Sequence, residues 1–528
     1  MNFMRYSAAV SILTIAAATC PFGIHAQPSA TSGTPQNVPP PTPAPGPAGA
    51  AQSTAGNGGK GFGPAVGVPF VGMPFVHDPS TVVRFKGRYY VYSTGRGAPF
   101  YSSSDGESWT REGSVFQQIP DDVHAAVPRN NGMDIWAPDI VRMNGEFYLY
   151  YAVSSWGSFQ SVVALATNPV LDPKDPAYKW TSRGVVVSSN GAEDLNAIDP
   201  GVIHAPDGTL WICYGSYHGS IRVTQLDSKT GLALHPKQLG EPVATARESE
   251  ASDIIFHNGY YYLFVNHGSC CKGKASEYNI RVGRAQAITG PYLDKHGDAL
   301  EKGGGSLFLA AHDHRIGPGH FGRVLDYDAS PDGSEGGPER FSVHYEADLT
   351  RGGRSVLDIR PLLWSADGWP MAGDNLIDGT YQIVARQSEN TLETHVPAAK
   401  PTAATAPARP DPAFPTPPAE AAGPPALHLA RYLTLDTQKW TIAPIGGGSY
   451  KIVNVGTGLA IESAAGTVDL AAYTGSDSQK WQLLQYPNGG YRIRNQSDGR
   501  SLTAAGSVGL AVGEFANDDL HLWTITTP

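Results

Sequence analysis

The chain has 528 residues and a net charge of −10, with 48 acidic and 38 basic side chains. That length exceeds one ordinary core, so two or three domains are expected. An acidic chain with no long basic run excludes nucleic acid and anionic membrane surfaces as partners. Charged residues make up only 16%, aromatics 10%, and there are 61 glycines, a profile that points to an all-β protein rich in turns and to carbohydrate as a partner.

In chain order, residues 1–26 read as a secretory signal peptide. Arg5 precedes an apolar core, Ala8 to Ala18, that is too short to span a bilayer, and Ala26 is a small residue at the cleavage end. Secretion, periplasmic or extracellular, is therefore expected. Cys20 raises a lipoprotein anchor as the alternative, although Thr19 before it fits such a motif poorly. No other segment is apolar enough to cross a membrane. Residues 27–68 are mostly Pro, Ala, Gly, Ser, Thr and Gln, a linker that cannot bury a core. Beyond the leader the cysteines are Cys213, Cys270 and Cys271, with no C-x-x-C zinc spacing. The adjacent pair is either a strained disulfide or two free buried thiols, the second being the plainer reading.

Residues 69–375 carry a repeat. "VVRFKGRYYVYS" from Val82, "IVRMNGEFYLYYA" from Ile140, "VIHAPDGTLWICYG" from Val202 and "IIFHNGYYYLFVN" from Ile254 each place a Gly turn before an aromatic strand. "PERFSVHYEA" from Pro338 is a fifth, weaker copy. The turn glycines 87, 145, 208 and 259 lie 58, 63 and 51 residues apart, room for one four-stranded sheet each. The expectation is a five-bladed β-propeller. Asp78, Asp139, Asp199 and Asp253 sit at or just before the four clear copies. Innermost strands of a propeller face one axis, so these carboxylates are expected at matching places around one funnel. Each alone could hold a turn; clustered, they shift one another's pKa values as acid–base chemistry requires.

Residues 376–528 repeat differently. "GTYQIVARQSENTLE" from Gly379, "GSYKIVNVGTGLAIE" from Gly448 and "GYRIRNQSDGRSLT" from Gly490 each lead to a tryptophan, Trp440, Trp481 and Trp523, 41 and 42 residues apart. Three such units make a β-trefoil. The Pro-rich tract 397–426 then falls inside the first unit as a long insertion. Asp436, Asp477 and Asp518 near the unit ends either bind sugar or hold turns.

Along the first domain run, in order, "HDPS" (77–80), "WAPDI" (136–140), "NAIDP" (196–200), "SEASDI" (249–254), "CCKG" (270–273) and "GPGH" (317–320). This ordered set resembles glycoside hydrolase family 43, in its arabinanase branch. "QKW" at 438–440 and 479–481 resembles the Q-x-W of ricin-type lectins, from which "HLW" at 521–523 departs. The resemblance implies an inverting hydrolase with Asp78 as general base, Glu250 as general acid and Asp199 orienting the acid and tuning its pKa. Inversion needs about 6.5–9.5 Å between acid and base to admit water. Glu248 is a local rival of Glu250. Asp139 braces a blade. Trp136 and Asn196 are candidate substrate-binding residues, Trp136 by stacking on a sugar ring or else as blade packing.

The resemblance also makes His320 a metal ligand on the propeller axis, for a structural calcium held mainly through water; no organic cofactor is implied. His312-Asp313-His314 reads as a surface loop before a zinc site, for want of further ligands. The implied activity is endo-hydrolysis of α-1,5-L-arabinan by a monomer acting on plant cell-wall polysaccharide. The alternatives are an exo-acting arabinofuranosidase or β-xylosidase on the same scaffold, and a carbohydrate-binding protein without activity.

Overall fold

A computed structural model describes residues 66–329, 339–396, 424–464 and 466–528. The expected signal peptide, nearly all of the expected 27–68 linker and most of the Pro-rich tract lie outside the described residues. Among those described, five antiparallel blades start from inner strands Val82–Phe85, Asp134–Met143, Gly201–His204, Ser249–His257 and Arg315–Asp326. Local sequence explains the hairpins. Lys86-Gly87, Asn144-Gly145 and Asn258-Gly259 take positive φ at both turn residues, the two-residue geometry that matches strand twist. The aromatic-rich second strands then bury their faces between blades. Tyr150, Leu165 and Ile212, for example, pack between the second and third blades.

The fifth blade differs from expectation. "PERFSVHYEA" is not a hairpin: Arg340–Asp348 is the blade's second strand, and the inner strand is Arg315–Asp326, which carries the GPGH motif. The repeat was weak there because no short Gly turn joins these two strands. The ring closes by parallel pairing of this last inner strand with the first, Val324 opposite Val82.

All five blades share one backbone feature. Asp78, Ala137, Asp199, Ala251 and His320 take φ of 47°, 40°, 57°, 50° and 56°. In the second, fourth and fifth blades the feature coincides with a register shift, between Trp136 and Asp139, Glu250 and Asp253, and Gly319 and Gly322. Such bulges bend the strand and re-aim side chains, at about 1–3 kcal/mol for each non-glycine residue so held. The four aspartates are therefore not at matching places. Asp78 and Asp199 occupy the left-handed position itself. Asp139 and Asp253 lie two residues further along, at a deeper level. There Asp139 accepts from Thr81 N–H at 3.0 Å and Val202 N–H at 2.9 Å, tying three blades together. That level is crowded: a Cβ on Gly201 would stand 2.4 Å from the Ser252 carbonyl oxygen.

The second domain holds twelve strands from Gly379–Ala385 to Trp523–Thr526, and these two pair to close it. Trp440, Trp481 and Trp523 are fully buried, and their indole N–H groups donate to the carbonyls of Leu392, Ile461 and Leu502 at 2.9–3.0 Å. Thr391–His395 pairs with Ala426–Ala430, so the strands flanking the Pro-rich tract belong to one hairpin. The three aspartates hold turns: Asp436 pairs with Lys439, Asp477 with Lys480 and Asp518 with His521. The domains touch where Gly447 N–H donates to the Asp105 carbonyl and Asp374 N–H to Gln485 Oε1.

Candidate active site

The left-handed position turns Asp78 toward the axis, and its neighbours make it anionic. Thr94 Oγ1 donates to Asp78 Oδ2 at 2.6 Å and itself accepts from Ala137 N–H, tying the first blade to the bulge of the second. His77 Nδ1 lies 2.9 Å from the same oxygen, and His320 Nδ1 lies 3.5 Å from Oδ1. Burial opposes ionisation, yet His77 and His320 hold the Asp78 carboxyl well below the usual carboxylate range. Both imidazoles are raised in return: burial works against their charge, and Asp78 outweighs it. Behind His77 stand His344, stacked on its ring at 4.3 Å, and Glu346, 3.1 Å from His77 Nε2. Burial resists the charge on Glu346, but bonds with His344 and His77 keep it well below its ordinary value.

The opposite wall has the other character. Glu250 sits one residue before the bulge of the fourth blade and is buried, with Ser216 Oγ donating to Oε2 at 2.6 Å. Burial pushes its carboxyl up to about 8, against the Ser216 bond and with the Asp78 charge adding to the rise. Asp199 is equally buried, and its Oδ2 accepts from Ala251 N–H at 3.2 Å, the residue next to Glu250. Burial, then the Glu250 charge, push Asp199 well above its ordinary value, with His320 opposing. Glu248 is set apart: it precedes the strand, is largely exposed and faces His267. The fold thus sets two buried carboxyls raised above their ordinary values, Glu250 and Asp199, against one held ionised, Asp78, around one axis, and the split between Glu250 and Asp78 is the division of labour that general acid–base chemistry needs.

Trp136 occupies the place in the second blade that Glu250 holds in the fourth. Its ring meets that of Trp156, which is 74% exposed, at 5.3 Å. Asn196 is buried, with Ser161 Oγ donating to its Oδ1 at 2.7 Å. His320 is buried on the axis, and its backbone N–H donates to Asn266 Oδ1. A calcium ion seeks six to eight oxygens. Around His320 the described residues offer one imidazole already paired with Asp78, and no three ligating atoms gather there. A calcium ion there would take nearly all of its oxygens from water, as the resemblance implies, and no step below uses a metal. The 312–314 loop gathers no ligand cluster among the described residues either; His312 bonds the Ala310 carbonyl and His314 faces Asp348. Among the described residues the cysteines are free, and the adjacent pair is not buried as expected: Cys270 is half-buried and Cys271 exposed.

Sequence reasoning missed Thr94, Ser216, His344 and Glu346. The last two were signalled by alternation in "SVHYEA", which puts His344 and Glu346 on one face of a strand. Nothing in the sequence marked the two hydroxyls.

Known proteins share the sequence and the fold of both domains. Residues 70–370 match the model of glycosyl hydrolases family 43, and residues 436–517 match the ricin-type β-trefoil lectin-like domain. The chain is 33% identical over 317 residues to an extracellular exo-α-(1→5)-L-arabinofuranosidase of Cellvibrio japonicus, covering 57% of this chain and 88% of the relative. It is 34% identical over 307 residues to an extracellular endo-α-(1→5)-L-arabinanase of Bacillus subtilis, covering 56% and 87%. Among solved structures, an exo-1,5-α-L-arabinanase from a bovine ruminal metagenomic library superposes with a TM-score of 0.53 at 36% identity, over 58% of this chain and 98% of that one. With the family match spanning the five blades and their axial carboxylates, the chain belongs to glycosyl hydrolases family 43 and joins to that domain a ricin-type β-trefoil.

Proposed function

We propose that the protein is a secreted, inverting hydrolase that cuts α-1,5-linked L-arabinan within the chain. One observation carries the mechanism: Asp78 and Glu250 face one funnel with their pKa values driven in opposite directions. Glu250, protonated at neutral pH, donates its proton to the leaving glycosidic oxygen. Asp78, ionised, takes a proton from the water that attacks the far face of the sugar. Asp199 positions the acid through the backbone of Ala251. Trp136 and Trp156 offer an aromatic wall for sugar rings. The substrate class follows the arabinan-active relatives, and secretion follows the word extracellular in two of their names together with the leader-like N-terminus. The trefoil adds a second carbohydrate-binding module that raises effective concentration on insoluble polymer.

Exo action on the same site is the second reading, favoured by the exo-acting relatives. A time course on linear arabinan separates the two. Mixed oligosaccharides at early times are the expected result; monomer or a single short product from the start would establish exo action. No release from arabinan, with release from xylan, would overturn the substrate class.

A further inference from the structure

Beside the base, three side chains bring ligating atoms together. His77 Nε2, the Cys271 sulfur and a Glu346 carboxylate oxygen all lie within 4.8 Å of one another. Glu346 is buried, and its Oε1 accepts from Cys271 N–H at 2.9 Å and stands 3.1 Å from His77 Nε2. Cys271 is exposed, which leaves one side of the cluster open to solution. The loop that carries it is fixed: Cys271 sits at a φ of 64°, and Cys270 N–H donates to the Tyr217 hydroxyl. A thiolate, an imidazole and a carboxylate suit zinc, with water completing a tetrahedron, and are a poor set for calcium or magnesium, which select oxygen. The other ring nitrogen of His77 already faces Asp78 Oδ2 at 2.9 Å. A cation on Nε2 would leave Nδ1–H pointing at that carboxylate, the arrangement by which carboxylates orient metal-bound histidines.

We propose that His77, Cys271 and Glu346 form a binding site for a zinc-class cation, and that its occupation inhibits the enzyme by locking the existing His77 Nδ1–H contact onto Asp78 Oδ2, so that this oxygen is no longer free to take a proton from water. Binding releases the thiol proton of Cys271 and the Nε2 proton of His77 to solvent and changes no oxidation state. The inhibition rests on Asp78 being the base; the binding does not.

The test uses the full chain, reduced and freed of metal, titrated with zinc alone and with cobalt(II) as a spectroscopic probe. The expected result is one equivalent of zinc, a thiolate-to-cobalt charge-transfer band, and protection of Cys271 from maleimide when zinc is present. Cys271→Ser should remove the band and weaken zinc binding at least ~10-fold, while Cys270→Ser should keep both. Unchanged zinc affinity in Cys271→Ser, or labelling of Cys271 at the same rate with and without zinc, would overturn the site. The protection assay needs no substitution, so it holds even where a variant folds poorly. Zinc seated at Cys271 with turnover undiminished would overturn the inhibition.

Discussion

The left-handed position that recurs in the five blades carries Asp78, Ala137, Asp199, Ala251 and His320, whereas the anchor that recurs in the trefoil stays tryptophan at 440, 481 and 523. Both domains copy backbone geometry. The trefoil also copies its side chains, because each unit does the same job of filling one threefold core. The propeller varies them, because residues meeting on one axis must differ for their pKa values to separate. A repeated scaffold thus yields a symmetric core in one region and an asymmetric site in the other. The residue before the left-handed position makes the same point: His77, Trp136 and Glu250 fill it in three blades, as partner of the base, aromatic wall and acid.

The comparison can be broken hardest at the propeller axis. Asp78→Asn should lower turnover on arabinan by about 10³-fold while leaving the melting transition of the propeller in place, read by reducing-sugar release and calorimetry together. Glu250→Gln should cost about 10²–10⁴-fold on polymer and far less on an aryl arabinofuranoside, whose leaving group hardly needs a proton. Equal losses on both substrates would remove Glu250 from the acid role. In the symmetric region, Trp481→Ala should destabilise the trefoil by about 3–5 kcal/mol through its cavity alone and leave the Ile461 carbonyl without its indole donor. Binding to insoluble polysaccharide should fall while activity on short soluble oligosaccharides persists, measured by pull-down and by product analysis. Loss of both would mean that the two domains do not hold separate cores. The smallest effect is expected from replacing residues 397–423 with a short Gly-containing link. The flanking strands already pair, and loop length changes closure entropy only slowly, so stability should move by about 1 kcal/mol or less.

The legible parts of the molecule were those written as short-range repeats. Two-residue turns such as Asn144-Gly145 announce a hairpin locally, and Trp spacing announces the trefoil. The fifth blade was obscured because its inner strand and second strand are joined without such a turn, so only Arg340–Asp348 stood out. The carboxylates were visible as residues, but their levels were not. Whether Asp139 reacts or braces depends on a two-residue offset from a bulge, and bulges leave no mark in composition. Thr94 reaches Asp78 within the first blade and Ser216 reaches Glu250 from the preceding blade, whereas Glu346 meets His77, 269 residues away, a closeness that the closed ring creates.

The Asp199→Asn variant sharpens the account further. If Asp199 is ionised while Glu250 carries its proton, removing that negative charge should move the alkaline limb of activity to lower pH, seen in a profile taken with and without the substitution. An unchanged limb would mean that Asp199 only positions the acid.

The most direct test is the pH dependence of kcat/KM on a soluble arabino-oligosaccharide. Activity requires Asp78 ionised and Glu250 protonated. The acid limb should therefore lie below the usual carboxylate range, and the alkaline limb should fall as pH rises through about 8, where Glu250 ionises. Activity already lost by neutral pH, as for an unshifted carboxylic acid, would contradict the assignment of Glu250 as the acid.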